Sequence, residues 1–577
     1  MLSHSEIPIF SGKLKILLTL LFAVISFNCF SQDLIFEWKH EIHNGERSNE
    51  GRTICTDTAG YVYVGGRLEN TIQFIDTILN CVEDNAFLSK ISPDGELVWI
   101  KWYRYCSLIT AMCFDHENNL CVTGNYYRYL DLGDTILHTN HADTLYCSNQ
   151  FIAKYDTDGN LLWAKSNTGV YISGYSNPIH NITIDNENNI LITGRCIEEL
   201  QYFDTNIVIN TLDSALVTYP YPYWYYYYKS VGFLAKYSSS GDFLWVKELG
   251  GWFCEPAAIK TDNSDNIFVT GQFQDTAYFD TIMVESYGAK DIFLVKHTPN
   301  GETQWVETAG GSAGDEGFDI AVDSMNNIYL TGKICGHNVA FGDNIQFTLC
   351  YDYEAFVAKY DSLGNFLWVT PFGTSHFTEY PLPNDIPASL GSSICINGNN
   401  LFFIGYFKDT LEFNGIFLEK LSGFGLYLLK LDLDGNVIKA GQYLEDGWLY
   451  PQEIASDQYN NIYFTAMYQV SSNNYQIIIG KISDDIPINV ILYSYKIENI
   501  NIYPNPSNGN FRILFSNNVR TNYIIEIFNI LGGRVFNKQI INNNKNIIID
   551  VSYLEKGIYL LRITGNGFVK TKKIIIN

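Results

Sequence analysis

The chain has 577 residues, a mass of 65.7 kDa and a net charge of −25, with 37 Lys and Arg against 62 Asp and Glu. At about 150 residues per domain that length predicts three or four domains, unless a repeat builds one large unit. Apolar content of 46% with 17% charged residues excludes a disordered chain. The acidity excludes sequence-independent binding to nucleic acid, whose phosphates repel it.

Residues 1–31 predict a secretory signal peptide. Lys13 and Lys15 precede an apolar run of 12 residues, ILLTLLFAVISF, and a polar exit follows, with cleavage expected near Ser31 or Gln32. The run is too short for a comfortable membrane span. No later stretch approaches about 18 consecutive apolar residues, so the mature protein is expected to be soluble and without a transmembrane helix.

Residues 32–485 are self-similar, with three landmarks in each copy. The first is an Asp, a polar turn and a strand ending in Gly: DTAGYVYVGG (57–66), DHENNLCVTG (115–124), DNENNILITG (185–194), DNSDNIFVTG (262–271) and DSMNNIYLTG (323–332), with weaker copies at 397–405 and 457–466. The second is a strand closing on Lys, as in FLSKIS (87–92) and FIAKYD (151–156); it also occurs seven times. The third follows a Gly turn and ends in Trp, as in DGELVW (94–99) and DGNLLW (158–163). Period-two alternation and Asp-Gly, Asn-Gly or Asn-Asn turns are hairpin signals. Each copy therefore predicts four strands, here A to D, which is the content of a β-propeller blade. The seventh copy lacks its Trp strand, while an orphan, DLIFEW (33–38), stands ahead of the first Asp landmark. That offset predicts a seven-bladed ring whose N-terminal strand completes the last blade, which also removes the free sheet edges. The strand-D Trp residues 38, 99, 163, 245, 305 and 368 are expected to pack between blades. The A–B and C–D turns are short, whereas the B–C and D–A connections vary in length and are the expected place for binding.

The copy AGGSAGDEGFDIAVDSMNNIYLTG (309–332), with its FLVKH or FVAKY and LGNFLWV continuations, resembles the SBBP-type β-propeller repeat of bacterial secreted proteins. That resemblance implies a fold and no single activity.

Twelve Cys occur, eleven once Cys29 leaves with the leader, and no C-x-x-C pair is present, which argues against a zinc ribbon or a thioredoxin-type site. An exported chain can form disulfides. Cys335 and Cys350, on one connection between strands, are the candidate pair, while Cys55, Cys113 and Cys395 at equivalent repeat positions read as buried small hydrophobes.

Composition shifts after a linker at 486–497. Residues 498–577 hold ten Lys and Arg against four Asp and Glu, so +6 sits there and −31 on the rest. Short strand patterns predict a small Ig-like β-sandwich. The motifs NIYPNPSNGNF (501–511), IFNILGGRV (527–535), LEKGIYLLRI (554–563) and KTKKIIIN (570–577) resemble, in that order, the type A C-terminal sorting domain of the type IX secretion system of Bacteroidetes. The resemblance implies recognition by the type IX translocon through residues 498–577, then release or attachment at the cell surface.

Catalytic motifs are weak. Gly310-Gly311-Ser312-Ala313-Gly314 fits G-x-S-x-G but precedes a strand where a nucleophile elbow needs a helix. Asp156-x-Asp158-Gly159-Asn160 and Asp432-x-Asp434-Gly435-Asn436 lack the distal ligands of a calcium loop and read as hairpin turns. His138-x-x-His141-x-Asp143 offers three ligand types with no evident fourth. No cofactor and no metal site is expected. The candidate contact surface is an aromatic tract in the longest B–C connection, Tyr219, Tyr221, Tyr223, Trp224, Tyr225 and Tyr226, since such rings suit sugar stacking or protein contact. The expected function is a non-enzymatic binding or scaffold protein outside the cell, with a glycan or protein ligand on the loop-rich face. The alternative is an extracellular polysaccharide hydrolase or lyase with carboxylates and a His at the propeller axis.

Overall fold

The structure, a computed structural model, describes residues 32–42, 49–81, 85–138, 149–169, 179–197, 200–204, 207–210, 230–251, 253–342, 344–347, 353–373, 389–413, 416–471, 474–482, 500–515, 523–529, 534–540, 546–565 and 568–577. Among them every regular element is a strand. No helix there is long and apolar enough to cross a membrane, which says nothing of a span built from strands. Contacts divide the chain into a body, Gln32–Pro487, and a second unit that includes Ile488–Asn577.

The described residues of the body form seven successive four-stranded antiparallel groups. In unit 1 the order is Glu50–Thr56, Val62–Leu68, Asn85–Ile91 and Leu97–Arg104. Units 2 to 6 follow over 106–169, 179–249, 253–310, 316–372 and 389–443. Unit 7 takes Trp448–Ser456, Ile462–Ser471 and Asn474–Ile482 as strands A to C, and Phe36–Ile42 pairs antiparallel with the last of these, Trp38 opposite Lys481. The two ends of the body thus share one sheet. Gln32–Asp33 adds a short parallel pairing to Val437–Tyr443 of unit 6. Single parallel bridges, such as Phe424 to Trp448, run some neighbouring units into longer sheets.

Burial follows strand position. Strand C of unit 1 is buried at every residue, whereas strand D is half-buried or exposed at every residue but Tyr103. That is the pattern of inner strands covered on both faces and an outer strand facing solvent. The apolar cores lie between units. One joins Val64 and Phe87 of unit 1 to Tyr463 and Ile477 of unit 7, and others join units 1 to 2, 2 to 3, 3 to 4, 4 to 5 and 6 to 7.

The landmarks explain this packing. Each Asp closes the A–B turn: Asp115 Oδ1 accepts from the backbone N–H of Glu117 at 3.0 Å and Asn119 at 2.7 Å, and Asp57, Asp185, Asp262, Asp323 and Asp457 repeat the arrangement. The strand-C Lys is buried and pairs with that Asp in units 2 and 3, Lys154–Asp115 at 2.6 Å and Lys236–Asp185 at 2.8 Å. Its ammonium also donates to a C–D turn carbonyl of the next unit, as Lys90 does to Thr157 at 2.9 Å and Lys359 to Leu433 at 3.0 Å. A buried cation is tolerable when paired in this way. Each Trp of strand D lies on the turn glycine of the following unit: Trp38 on Gly95, Trp99 on Gly159, Trp163 on Gly241, Trp245 on Gly301, Trp305 on Gly364 and Trp368 on Gly435.

The B–C connections of units 1 to 5 differ from the loops expected of them. Each contains a two-stranded hairpin, Thr71–Phe74 with Thr77–Asn80 in unit 1, which packs toward strand D of the preceding unit. In unit 5 the hairpin strand Val339–Phe341 hydrogen-bonds directly to Thr303–Gly310 of unit 4.

The second unit is a pair of sheets. Ile500–Tyr503, Asn510–Phe515 and Asn546–Asp550 form one, and Arg534–Ile540, Tyr523–Asn529, Gly557–Gly565 and Phe568–Ile576 the other. Phe511, Ile513, Ile525, Ile527, Leu561 and Ile563 fill the space between. Asn505 and Ser507 pin the last strand: Asn505 Oδ1 accepts from Ile575 N–H at 2.9 Å, and Ser507 N–H donates to the Ile575 carbonyl at 2.9 Å. Lys572 and Lys573 on that strand are exposed.

Candidate functional site

Every strand A of the body carries a β-bulge at the same place, five residues before the turn Asp or its Asn397 equivalent. The unpaired residues are Arg52, Thr110 and His180 in units 1 to 3, Ala257 and Phe318 in units 4 and 5, and Ser392 and Gln452 in units 6 and 7. A bulge adds one residue to one strand of a pair and re-aims its side chain. All seven residues line a single cavity of about 430 Å³, within the range of small-molecule pockets.

The walls differ from unit to unit. On units 3 to 5 they are charged and paired. Glu255 forms an ion pair with Arg195 and accepts from Gln272 Nε2 at 2.6 Å. Glu316 pairs with Lys333 at 3.0 Å. Arg52 of unit 1 is exposed, donates to Gln452 Oε1 of unit 7 at 3.0 Å and lies 3.6 Å from Glu50. On units 6 and 7 the wall is aromatic: Tyr406 and Tyr450 line the cavity, with centroids 5.7 Å apart, and Phe424 packs behind them at 4.6 and 5.6 Å.

His180 Nδ1 faces the Pro256 carbonyl, which can only accept. The ring therefore carries its proton on Nδ1 and keeps a lone pair at Nε2. Burial, reinforced by Arg195 and Arg52, pushes this imidazole down to about 4, so it is neutral near pH 7.

One residue further along the strands, acidic groups tie unit to unit. Asp319 Oδ2 accepts from Ser393 Oγ at 2.7 Å and from Ile394 N–H at 3.0 Å. Glu453 Oε2 accepts from Ile54 N–H at 2.7 Å, joining unit 7 to unit 1. Burial pushes Asp319 up, and Glu453 up to about 7, against the N–H donation that favours the anion.

The other sequence candidates do not join this site. Tyr219, Tyr221, Tyr223, Trp224, Tyr225 and Tyr226 lie outside the described residues, as do Cys350, His141 and Asp143. Cys335 is buried beside Asp315, whose Oδ1 accepts its N–H. Ser312 is no nucleophile elbow: it lies between two strands and its Oγ accepts from His337 N–H at 2.9 Å. Asp156 caps its own turn, accepting from Asp158 N–H and Asn160 N–H. Among the described residues no group of three or more His, Cys, Asp or Glu could hold a metal ion. No sequence signal singles out the cavity: the column five before the turn Asp reads Arg, Thr, His, Ala, Phe, Ser and Gln, and the column after it varies as much, Thr, Ala, Asn, Ala, Asp, Ser and Glu.

Residues 501–577 match the family model described as the secretion system C-terminal sorting domain. The chain is thus a type IX secretion substrate, destined for the cell surface or the extracellular space. Over 244 residues it is 28% identical to an uncharacterized WD repeat-containing protein of Acanthamoeba polyphaga mimivirus, a match covering 38% of this chain and 17% of that protein. Among solved structures, a subtype N10 neuraminidase-like protein of A/little yellow-shouldered bat/Guatemala is 10% identical with a TM-score of 0.33, covering 77% of this chain and 98% of that one. The NanB sialidase of Streptococcus pneumoniae is also 10% identical with a TM-score of 0.33, covering 76% and 70%. The body is all-β and propeller-like.

Proposed function

We propose that this chain is an exported, non-enzymatic binding protein whose seven meanders are the blades of a closed ring built from SBBP-type repeats. Residues 1–31 serve as its signal peptide, and its ligand site is the cavity on the ring axis. The observation that carries this reading is that one bulged residue from each of the seven repeats lines the same cavity. A ring is supported by the sheet, the core and the Trp38–Gly95 packing that unite units 7 and 1.

The hydrolase or lyase reading draws on Glu255, Glu316, Asp319, Glu453 and His180, which all line the cavity. Their partners favour binding. Glu255 and Glu316 are held in ion pairs, and Asp319 and Glu453 accept from backbone N–H groups of the next unit. A general acid needs a free proton and a nucleophile a free lone pair directed at substrate. Incubating the mature chain with neutral and acidic polysaccharides should release no reducing ends and no unsaturated products. Product release that disappears in Glu255→Gln or Glu316→Gln would replace the binding reading by the enzymatic one.

A further inference from the structure

Resting on the reading of the axial cavity as a binding site, we propose that its ligand is a neutral saccharide of one or two rings. Its hydroxyls meet His180, Gln272 and the Arg195–Glu255 pair, and its C–H face lies against Tyr406 and Tyr450.

Size sets the first limit. A cavity of about 430 Å³ sits at the small end of ligand pockets and excludes a folded partner or a long chain segment.

Charge sets the second. The cations of the wall are already matched, Arg195 with Glu255 and Lys333 with Glu316, while Arg52 lies beside Glu50 and Gln452, and the remaining acids, Asp319 and Glu453, accept from the next unit. At Arg52 a carboxylate or phosphate ligand would face the lining carboxylates Glu255, Glu316, Asp319 and Glu453, and elsewhere it would have to take a cation from one of these pairs. That strands a half-buried carboxylate without its counter-charge, a costly exchange. A hydroxyl imposes no such exchange, because it donates to a spare carboxylate lone pair or accepts a spare guanidinium proton while the ion pair stays intact.

Hydrogen-bond pattern sets the third. His180 Nε2 is a fixed acceptor, since Nδ1 is committed to the Pro256 carbonyl. Gln272 gives Nε2 to Glu255 and leaves Oε1 closed to solvent and without a partner among the described residues, so it accepts from a hydroxyl once the side chain turns toward the cavity. The same region therefore offers acceptors at His180 and Gln272 beside a guanidinium. Adjacent sugar hydroxyls, each both donor and acceptor, match such a mixture.

The aromatic wall sets the fourth. Tyr406 and Tyr450 belong to units 6 and 7, whereas the paired charges belong to units 3 to 5. A pyranose has apolar C–H faces and a polar hydroxyl rim, so one apolar and one polar wall suit it. A dicarboxylate or a small polar amino acid has no face for the tyrosines and too much charge for the pairs.

The test uses the mature full chain from residue 32 onward. Immobilised glycans with neutral, carboxylated and sulfated termini form one arm. Calorimetry with free neutral mono- and disaccharides, sugar acids, amino acids and dicarboxylates forms the other. Neutral sugars should bind, and His180→Ala and Gln272→Leu should each weaken binding by about tenfold or more. Tyr450→Ala, which removes the ring, should also weaken binding, and thermal unfolding of each variant shows that it is folded. Equal binding of free disaccharide and immobilised chain identifies a soluble sugar, and binding on the array alone identifies a polymer terminus; both support the proposal. Binding only of charged ligands, lost in His180→Ala, overturns the saccharide class and leaves the axial site standing. Sugar binding unchanged in both His180→Ala and Gln272→Leu overturns the axial site as well, as does the absence of binding in every class.

Discussion

Glu453 shows how one side chain couples the ends of the body to pH. Its carboxylate holds the Ile54 N–H of the first repeat, yet burial pushes its pKa up to about 7. The folded chain therefore binds this proton more tightly than the unfolded chain, whose Glu titrates near 4.3. The contribution is complete below about pH 4.3 and is lost as pH rises through about 7. Glu453→Gln has no proton to lose, so its Tm relative to wild type should rise between pH 5 and pH 8, by the equivalent of about 2–3 kcal/mol at most. A flat difference across that range would show that Glu453 does not titrate there. Asp115 and Asp185, in two of the turns, run the other way. Hydrogen bonds from Lys154 and Asn119 outweigh burial and hold Asp115 below the usual carboxylate range, so its contribution is lost only in acid. These turn aspartates were legible in the sequence, because an Asp followed by Asn-Asn or Asp-Gly leaves the backbone few other ways to turn. The bulged residues were not. Alternation assigns side chains to two faces, and an extra residue in one strand shifts that assignment without any mark in the composition.

At the scale of the element, the strand-D Trp and the turn glycine of the next unit are the repeated joint. Gly95 has φ +91°, and a Cβ there would stand 2.9 Å from Trp38 Cγ. Trp38 Nε1 also donates to the Pro93 carbonyl at 2.9 Å. Gly95→Ala combines left-handed strain with a clash and should cost about 1–3 kcal/mol in denaturant unfolding. Gly133, with φ +95° and nothing within 4 Å of its Cβ, isolates the strain. Gly133→Ala should cost about 1 kcal/mol; equal losses at both positions would remove the Trp38 contact from the account. The strands and their Trp spacing could be read from the repeated Asp, Lys and Trp landmarks. The B–C hairpins escaped that reading because TIQF and TILN are only four residues each. Such short runs differ among copies, and what they cover lies on the preceding repeat, about sixty residues away along the chain. Long variable connections in this body thus act partly as braces between units.

On the scale of the whole molecule, address and cargo are separate. The sorting domain has its own core, with Phe511, Ile513 and Leu561 among its buried residues, and the body has its own between-unit cores. Truncation after residue 487 should therefore leave a folded body that accumulates in the periplasm, measured by fractionation and by protease resistance of the retained protein. Surface delivery of the truncated chain at the normal level would remove residues 501–577 from the export route. The sorting motifs were legible because they are compact and local. The cavity was not, because it takes one bulged residue from each of seven distant segments.

The pairing of Phe36–Ile42 with Asn474–Ile482 also orders events in time. A strand among the first of the body to leave the ribosome waits for the last, with more than four hundred residues between them. Until that late partner arrives, the leading strand has no template, and the seam between first and final repeats stays unsewn. Partial chains therefore cannot lock prematurely into the finished shape.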